Sequence, residues 1–212
     1  MNFSSLSICF SELHSFQGLI HAFFMLANTN PHVYLIMKLQ NTLYSAVDNV
    51  EAELRRLEEL GVIDYSRRPD ISARVFYITQ DLTPRQLGAL YNLADAYISP
   101  YHAEAFNMPV LEAMACGLPI VVPVGGATAD FLYAPSAVLI KATEMPLGEY
   151  RSALAMHTGD IALAMRRVVL HKRALKAAAL RVRNRHCQFG GCVWGEESTA
   201  LVGIESLVCL EG

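Results

Sequence analysis

Two glutamates, Glu104 and Glu112, flank a loop that leads from an apolar strand into a short helix, with seven residues between them. The surrounding stretch, Tyr97 to Asp130, is YISPYHAEAFNMPVLEAMACGLPIVVPVGGATAD. It reads as a buried strand, a polar loop, a helix, a second buried strand and a glycine loop. Ser99-Pro100 turns the chain away from the sheet, and Pro109 suits the first position of a helix, where an N–H is unpaired in any case. The backbone amides around Phe106, Asn107 and Met108 are then free to meet an anion, helped by roughly half a positive charge at the helix start. Asn107 is one of the few non-glycine residues that tolerates positive φ, which suits a tight amide-lined turn.

A carboxylate one turn into the helix pairs naturally with the two hydroxyls of a ribose. That is the role open to Glu112. Glu104, before the turn, is placed to reach a sugar or its leaving group. The plainer alternatives are that Glu112 is a favourable acid near a helix start and that Glu104 is a loop surface residue. Acids on both sides of a phosphate position suit a ligand with hydroxyls and phosphates together, such as a nucleotide sugar.

The elements that must hold this loop alternate. Apolar runs at 2–10, Val33 to Met37, Arg74 to Thr79, Ala96 to Ser99 and Pro119 to Val122 read as strands. Between them lie helices at Gly18 to Asn28, Val47 to Leu60, Thr83 to Ala94 and Pro109 to Ala115. The second carries a charged face of Glu51, Glu53, Arg55, Arg56, Glu58 and Glu59 and stops at Gly61. Thr83-Pro84 starts the third, and Gly117 closes the fourth. Further helices are expected at Thr128 to Leu132 and, with at least one break, at Asp160 to Arg185. Short apolar strands alternating with helices imply an α/β fold: a Rossmann-like parallel sheet with helices on both faces. The expected division is one domain over 1–186 and an irregular tail over 187–212.

Composition excludes several classes. The 212 residues are 53% hydrophobic and 17% charged, so the chain can build a core. A formal charge of −3 and the lack of basic stretches interleaved with aromatics argue against nucleic acid as partner. Arg166-Arg167 and the cluster from Arg181 to Arg185 read as solvated faces. The five cysteines are odd in number and irregularly spaced. That argues against a zinc site and for a reduced, cytoplasmic chain. No apolar run approaches the ~20 residues needed to span a bilayer, and no signal peptide is evident. A peripheral membrane association is left open. No Gly-x-Gly-x-x-Gly turn follows the first strand, which sets aside a dinucleotide domain.

The run SPYHAEAFNMPVLEAMACGLPIVVPVGG resembles the signature of the group 1 retaining glycosyltransferases of GT-B fold (the glycosyltransferase family four group). In that family a Pro/Ser strand end is followed by Glu, seven residues, Glu, then Ala-Met-Ala-Cys-Gly-x-Pro and a Gly-Gly pair. Here these are Glu104, Glu112, Ala113 to Pro119, and Gly125-Gly126. The resemblance implies the C-terminal, donor-binding half of such an enzyme. It implies Glu104 beside the donor sugar as the catalytic residue, and amides of Phe106, Asn107 and Met108 on the diphosphate. Glu112 would hold the ribose, and Gly125 and Gly126 would let their turn approach the ligand. It implies a UDP-, GDP- or ADP-sugar as donor, and no metal or other cofactor. His102 is a further candidate contact, with a polar loop residue as its alternative.

Two departures stand out. The family carries an Arg and a Lys before the glycine of its first helix to clamp the diphosphate; here Phe16-Gln17 precede Gly18, and His14 is the only titratable cation nearby. The length also leaves no room for the N-terminal, acceptor-binding domain of a GT-B enzyme. The expected partner is therefore that domain or a separate subunit. The alternative is a non-catalytic or truncated nucleotide-sugar binding module.

Overall fold

Residue alternation along each strand determines how the layers form. The structure, a computed structural model, describes residues 6–10, 16–39, 46–64, 66–132, 134–147 and 152–188. Six strands make one sheet: β1 (Leu6–Phe10), β2 (Val33–Lys38), β3 (Val75–Ile78), β4 (Ala96–Ile98), β5 (Ile120–Pro123) and β6 (Ala137–Ile140). Their order is β3-β2-β1-β4-β5-β6, and every neighbouring pair is parallel. Among the described residues the helices are α1 (Phe16–Ala27), α2 (Ala46–Glu59), α3 (Pro69–Ser72), α4 (Pro84–Leu93), α5 (Met108–Ala115) and α6 (Thr158–Gln188). A separate antiparallel hairpin joins β7 (Thr143–Pro146) to β8 (Ser152–Ala155).

With a side-chain period of two, β2, β4 and β5 feed both faces. Leu35, Met37, Ala96, Ile98 and Val121 pack into one cluster with residues of α1, α2 and α6. Tyr97, Ile120 and Val122 pack into the other with residues of α4 and α5. The sheet is thus covered on both sides, the expected α/β arrangement. The strand order reverses between β1 and β4, which opens a crevice at the carboxyl ends of those two strands. Both Gln17-Gly18 and the loop after β4 lie there.

Several local features match the sequence reading. Thr83 caps α4 in a reciprocal box with Gln86, with Pro84 in the first turn. Gly61 and Gly117 end their helices at φ 66° and 67°. A Cβ at Gly117 would lie 2.8 Å from Leu180 Cδ2, so that position also lets α6 approach α5. α6 is broken at His171 (φ −118°, ψ 18°), consistent with the expected interruption. Arg166, Arg167 and Arg181 are exposed, as solvated faces should be.

Other features differ. Glu53, read as part of the charged face of α2, is only 5% exposed, because it shares the buried stripe of Val50, Leu54 and Leu57. The helix expected at Thr128 to Leu132 is a 3-10 turn at Ala127–Asp130. The strands β6, β7 and β8 and the one-turn α3 were not anticipated. The tail beyond 188 lies outside the described residues.

Arg74, just before β3, is 7% exposed. Its guanidinium donates Nε to the Asp70 carbonyl (2.8 Å), Nη1 to the carbonyls of Asn30 (2.8 Å) and Val33 (3.3 Å), and Nη2 to that of Ala27 (3.2 Å). It thereby ties the C-terminus of α1 to β2 and α3, and the cation also favours the negative helix end. Arg74→Ala should destabilise the fold by about 2–4 kcal/mol in urea denaturation, because several buried carbonyls lose their donor. Arg74→Lys should recover only part, since an ammonium lacks the planar fork.

Candidate functional site

The loop after β4 is shaped by one asparagine. Asn107 adopts φ 66° and ψ 62°, the sole non-glycine residue with positive φ among those described. It is 2% exposed. Its Nδ2 donates to Ser99 Oγ at 2.8 Å, and its Oδ1 accepts from the Val110 N–H at 3.3 Å. The side chain therefore pins the end of β4 and caps α5 at once. This makes Met108 the first helical residue and Pro109 the second, one place later than expected. The Met108 N–H meets no protein acceptor among the described residues. Phe106 packs its ring on Phe131, with centroids 5.3 Å apart.

The two glutamates differ in setting. Glu112 is half-buried and accepts a hydrogen bond from the Tyr91 hydroxyl of α4 at 2.9 Å. Burial pushes its carboxyl above the usual range, and the Tyr91 bond pulls it partly back. Glu104 is partly exposed and has no hydrogen-bond or ion-pair partner among the described residues. The structure thus anchors one acid to α4 and leaves the other unengaged in the loop.

His102 is exposed yet fixed. Its Nδ1 lies 2.7 Å from the Leu154 carbonyl, and the Leu154 N–H donates to the His102 carbonyl at 2.6 Å. A carbonyl only accepts, so Nδ1 carries the proton. These bonds fasten the β7–β8 hairpin to the loop. His102 also lines a cavity of about 280 Å³ with Gln17 and Gly18 of α1 and Glu53 and Arg56 of α2. Glu104, Asn107 and Glu112 do not line it.

The glycine pair sits in a turn held by Tyr101. The Tyr101 hydroxyl donates to the Gly125 carbonyl at 3.0 Å and accepts from the Thr128 N–H at 3.2 Å. With its one proton committed, it accepts from Thr128 Oγ1 at 2.9 Å. Gly125 and Gly126 have φ 85° and 70°. A Cβ at Gly126 would meet Leu154 Cδ1 at 3.0 Å and Tyr101 at 3.1 Å, whereas one at Gly125 would meet open space.

Sequence reasoning missed Tyr91, Ser99, Tyr101 and Thr128, each of which positions a residue it did name. Tyr91 lies among the buried residues of α4, where a hydroxyl gives no separate signal. His14 lies outside the described residues. The Gln17 side chain, at the place of the absent clamp cation, donates Nε2 to Glu53 at 3.2 Å. Among the described residues no cluster of His, Cys, Asp and Glu could hold a metal ion. No helix among them is long and apolar enough to cross a membrane.

Residues 63–135, which carry this loop and both glutamates, match the family model "Glycosyl transferases group 1". That segment is similar to the group 1 glycosyl transferases. The chain is similar in fold to the C-terminal domain of a glycosyl transferase group 1 family protein, LpcC, from Francisella tularensis. The TM-score is 0.62 at 14% identity, over 86% of this chain and 85% of that one. It is also similar to sucrose-phosphate synthase from Thermosynechococcus elongatus (TM-score 0.61, 16% identity, 89% of this chain and 42% of that). A third is the Anabaena protein HepE in complex with UDP and glucose (TM-score 0.61, 16% identity, 87% and 44%). This chain therefore spans most of the isolated C-terminal domain but less than half of the two longer proteins. Its fold is that of a GT-B C-terminal domain. Among curated proteins none matches the chain.

The raised Glu112 carboxyl gives a signed prediction. Where the folded value exceeds the unfolded one, the native state holds the proton longer. Native stability then falls as pH climbs from the ordinary carboxylate value, about 4.3, through the folded value. Glu112→Gln cannot ionise. Its melting temperature should exceed that of the native protein at pH 7, and the gap should close as pH falls below about 4. A thermal melt series across that range measures it.

Proposed function

We propose that this chain is the donor-binding half of a retaining glycosyltransferase, moving a sugar from a nucleotide diphosphate-sugar to an acceptor hydroxyl. The observation that carries the reading is the loop at the β1/β4 switch point. There Asn107 sets the start of α5, the Met108 N–H is open, and Glu104 and Glu112 flank the turn inside the family-matched segment. HepE, similar in fold, is known with UDP-glucose bound.

In this reading the backbone around Phe106, Asn107 and Met108 takes the diphosphate, and Glu112, oriented by Tyr91, binds the ribose. Gly125 and Gly126 bring their turn toward the ligand, and His102 supplies a further polar contact. The bond from the anomeric carbon to the diphosphate oxygen breaks, and the acceptor oxygen attacks on the same face. The departing diphosphate takes the acceptor's proton. Glu104 stabilises the positive charge that develops at the sugar ring. Amides and side chains balance the leaving charge, so no metal is required. The acceptor is held by an N-terminal-type domain or a separate subunit, in keeping with the share of the longer proteins that this chain spans.

One observation favours a second reading, a nucleotide-sugar binding module without turnover. The position where the resemblance calls for a diphosphate-clamping cation holds Gln17, whose amide is turned to Glu53. Loss of such a cation costs on the order of several kcal/mol of transition-state stabilisation.

The two readings separate in one assay. Protein incubated with UDP-, GDP- and ADP-sugars in the presence of water or simple sugar acceptors should release free nucleoside diphosphate, and Glu104→Ala should abolish the release. Calorimetric binding without release in the native protein would favour the binding module instead. In either case Glu112→Ala should weaken nucleotide affinity by roughly 1–3 kcal/mol, and unchanged affinity would contradict the ribose contact.

A further inference from the structure

Position 53 of α2 is a place where an apolar residue would pack more cheaply. Glu53 sits on the buried stripe with Val50, Leu54 and Leu57, and a buried carboxylate is costly unless it is paired. Its pairing is complete. Arg56 donates Nε to Glu53 Oε2 and Nη2 to Oε1, both at 2.9 Å, and Gln17 Nε2 adds a third bond at 3.2 Å. Such pairs contribute little to stability compared with an apolar replacement, so what this one provides is orientation.

The orientation leaves one edge of the guanidinium open. The fork has two donor edges; Glu53 takes the Nε/Nη2 edge, and Nη1 has no partner among the described residues. Arg56 remains half-exposed while its partner carboxylate is buried. Both residues line the cavity of about 280 Å³ beside Gly18 and His102. Arg56 is the one permanently charged cation among the described residues lining it. His21 is held toward its neutral form by burial, and the Nδ1 proton of His102 is committed to the Leu154 carbonyl. The volume falls just below the ~300–1,000 Å³ typical of drug-sized ligands, which suits a small oxyanion rather than a whole nucleotide sugar.

We propose that this cavity is a phosphoryl-binding site and that Arg56 binds its oxygens through the guanidinium edge that Glu53 leaves open. The assignment of the occupant as one phosphoryl group of the donor's diphosphate, the other meeting the backbone around Phe106, Asn107 and Met108, rests on the glycosyltransferase reading above. At a distance Glu53 cancels the charge of Arg56, but at contact the open edge still offers aligned N–H donors, the geometry that favours arginine on phosphate. A cation on α2, a helix outside the segment that matches the family, thus stands over the same cavity as Gln17.

Inorganic pyrophosphate is the direct probe, titrated calorimetrically into the full chain. The native protein should bind it, and Arg56→Ala should weaken binding about tenfold or more. Because Arg56→Ala strands the Glu53 charge, a Glu53→Gln/Arg56→Gln pair serves as the folded control, with its melt compared to the native one, and should lose pyrophosphate equally. Arg56→Lys, which keeps the ion pair, should lose less. Equal pyrophosphate affinity in the native and Arg56→Gln-paired proteins, or no pyrophosphate binding by the native protein, overturns the proposal. The broader reading is tested apart, with uridine, guanosine and adenosine against Glu112→Ala. Failure there strikes the ribose contact and leaves the Arg56 result standing.

Discussion

The candidate site depends on how one buried amide side chain resolves the end of β4. A strand that stops at a switch point must turn its chain outward, and its last polar groups need partners away from water. Asn107 meets both needs, bonding Ser99 on the strand and Val110 in the helix from a left-handed backbone. No apolar residue could do this, and few L-residues other than asparagine adopt that conformation at low cost. Once the turn is set, Glu104 lies before it and Glu112 one helical turn beyond, on the side of α5 that meets Tyr91.

Around that turn, second partners hold nearly every functional candidate. Tyr91 holds Glu112, Leu154 holds His102, and Tyr101 holds the Gly125-Gly126 turn through Gly125 and Thr128. Glu104 is the exception, with no partner among the described residues. A carboxylate held ready by its neighbours and one left open are suited to different work: the first to recognising a fixed group, the second to meeting charge that appears only during reaction. The β8 contact with His102 further couples the hairpin to the loop, so a ligand that moves one should move the other.

Much of this was legible in the sequence, and the reasons are specific. Pro119 to Val122 announces itself because both faces of β5 are buried, and Val33 to Met37 because one face is buried and the other partly so. Asn107 and the glycines at 61 and 117 mark positive φ through residue type alone. The Glu-x7-Glu spacing carries the family resemblance only together with its flanking run, Ala113 to Pro119 and Gly125-Gly126. What stayed hidden was tertiary. Glu53 looks like a surface charge until the period of α2 is read together with its partner Arg56. Tyr91 and Glu112 are 21 residues apart in sequence, and nothing local joins them. The strands β7 and β8 hold few β-branched residues, and β7 is exposed throughout, so neither carries a hydrophobic pattern. β6 is four apolar residues, too short to distinguish from a helix fragment.

The account stands on a ligand occupying the amino end of α5 at the β1/β4 crevice. Backbone amide NMR of the isotopically labelled chain, titrated with UDP, GDP and ADP, tests this directly. Saturable shifts centred on Met108 and Val110, accompanied by the Tyr91 ring, are the expected result for at least one nucleotide. Saturable binding with all shifts on the opposite ends of the strands, around Asn28 and Arg74, would contradict it.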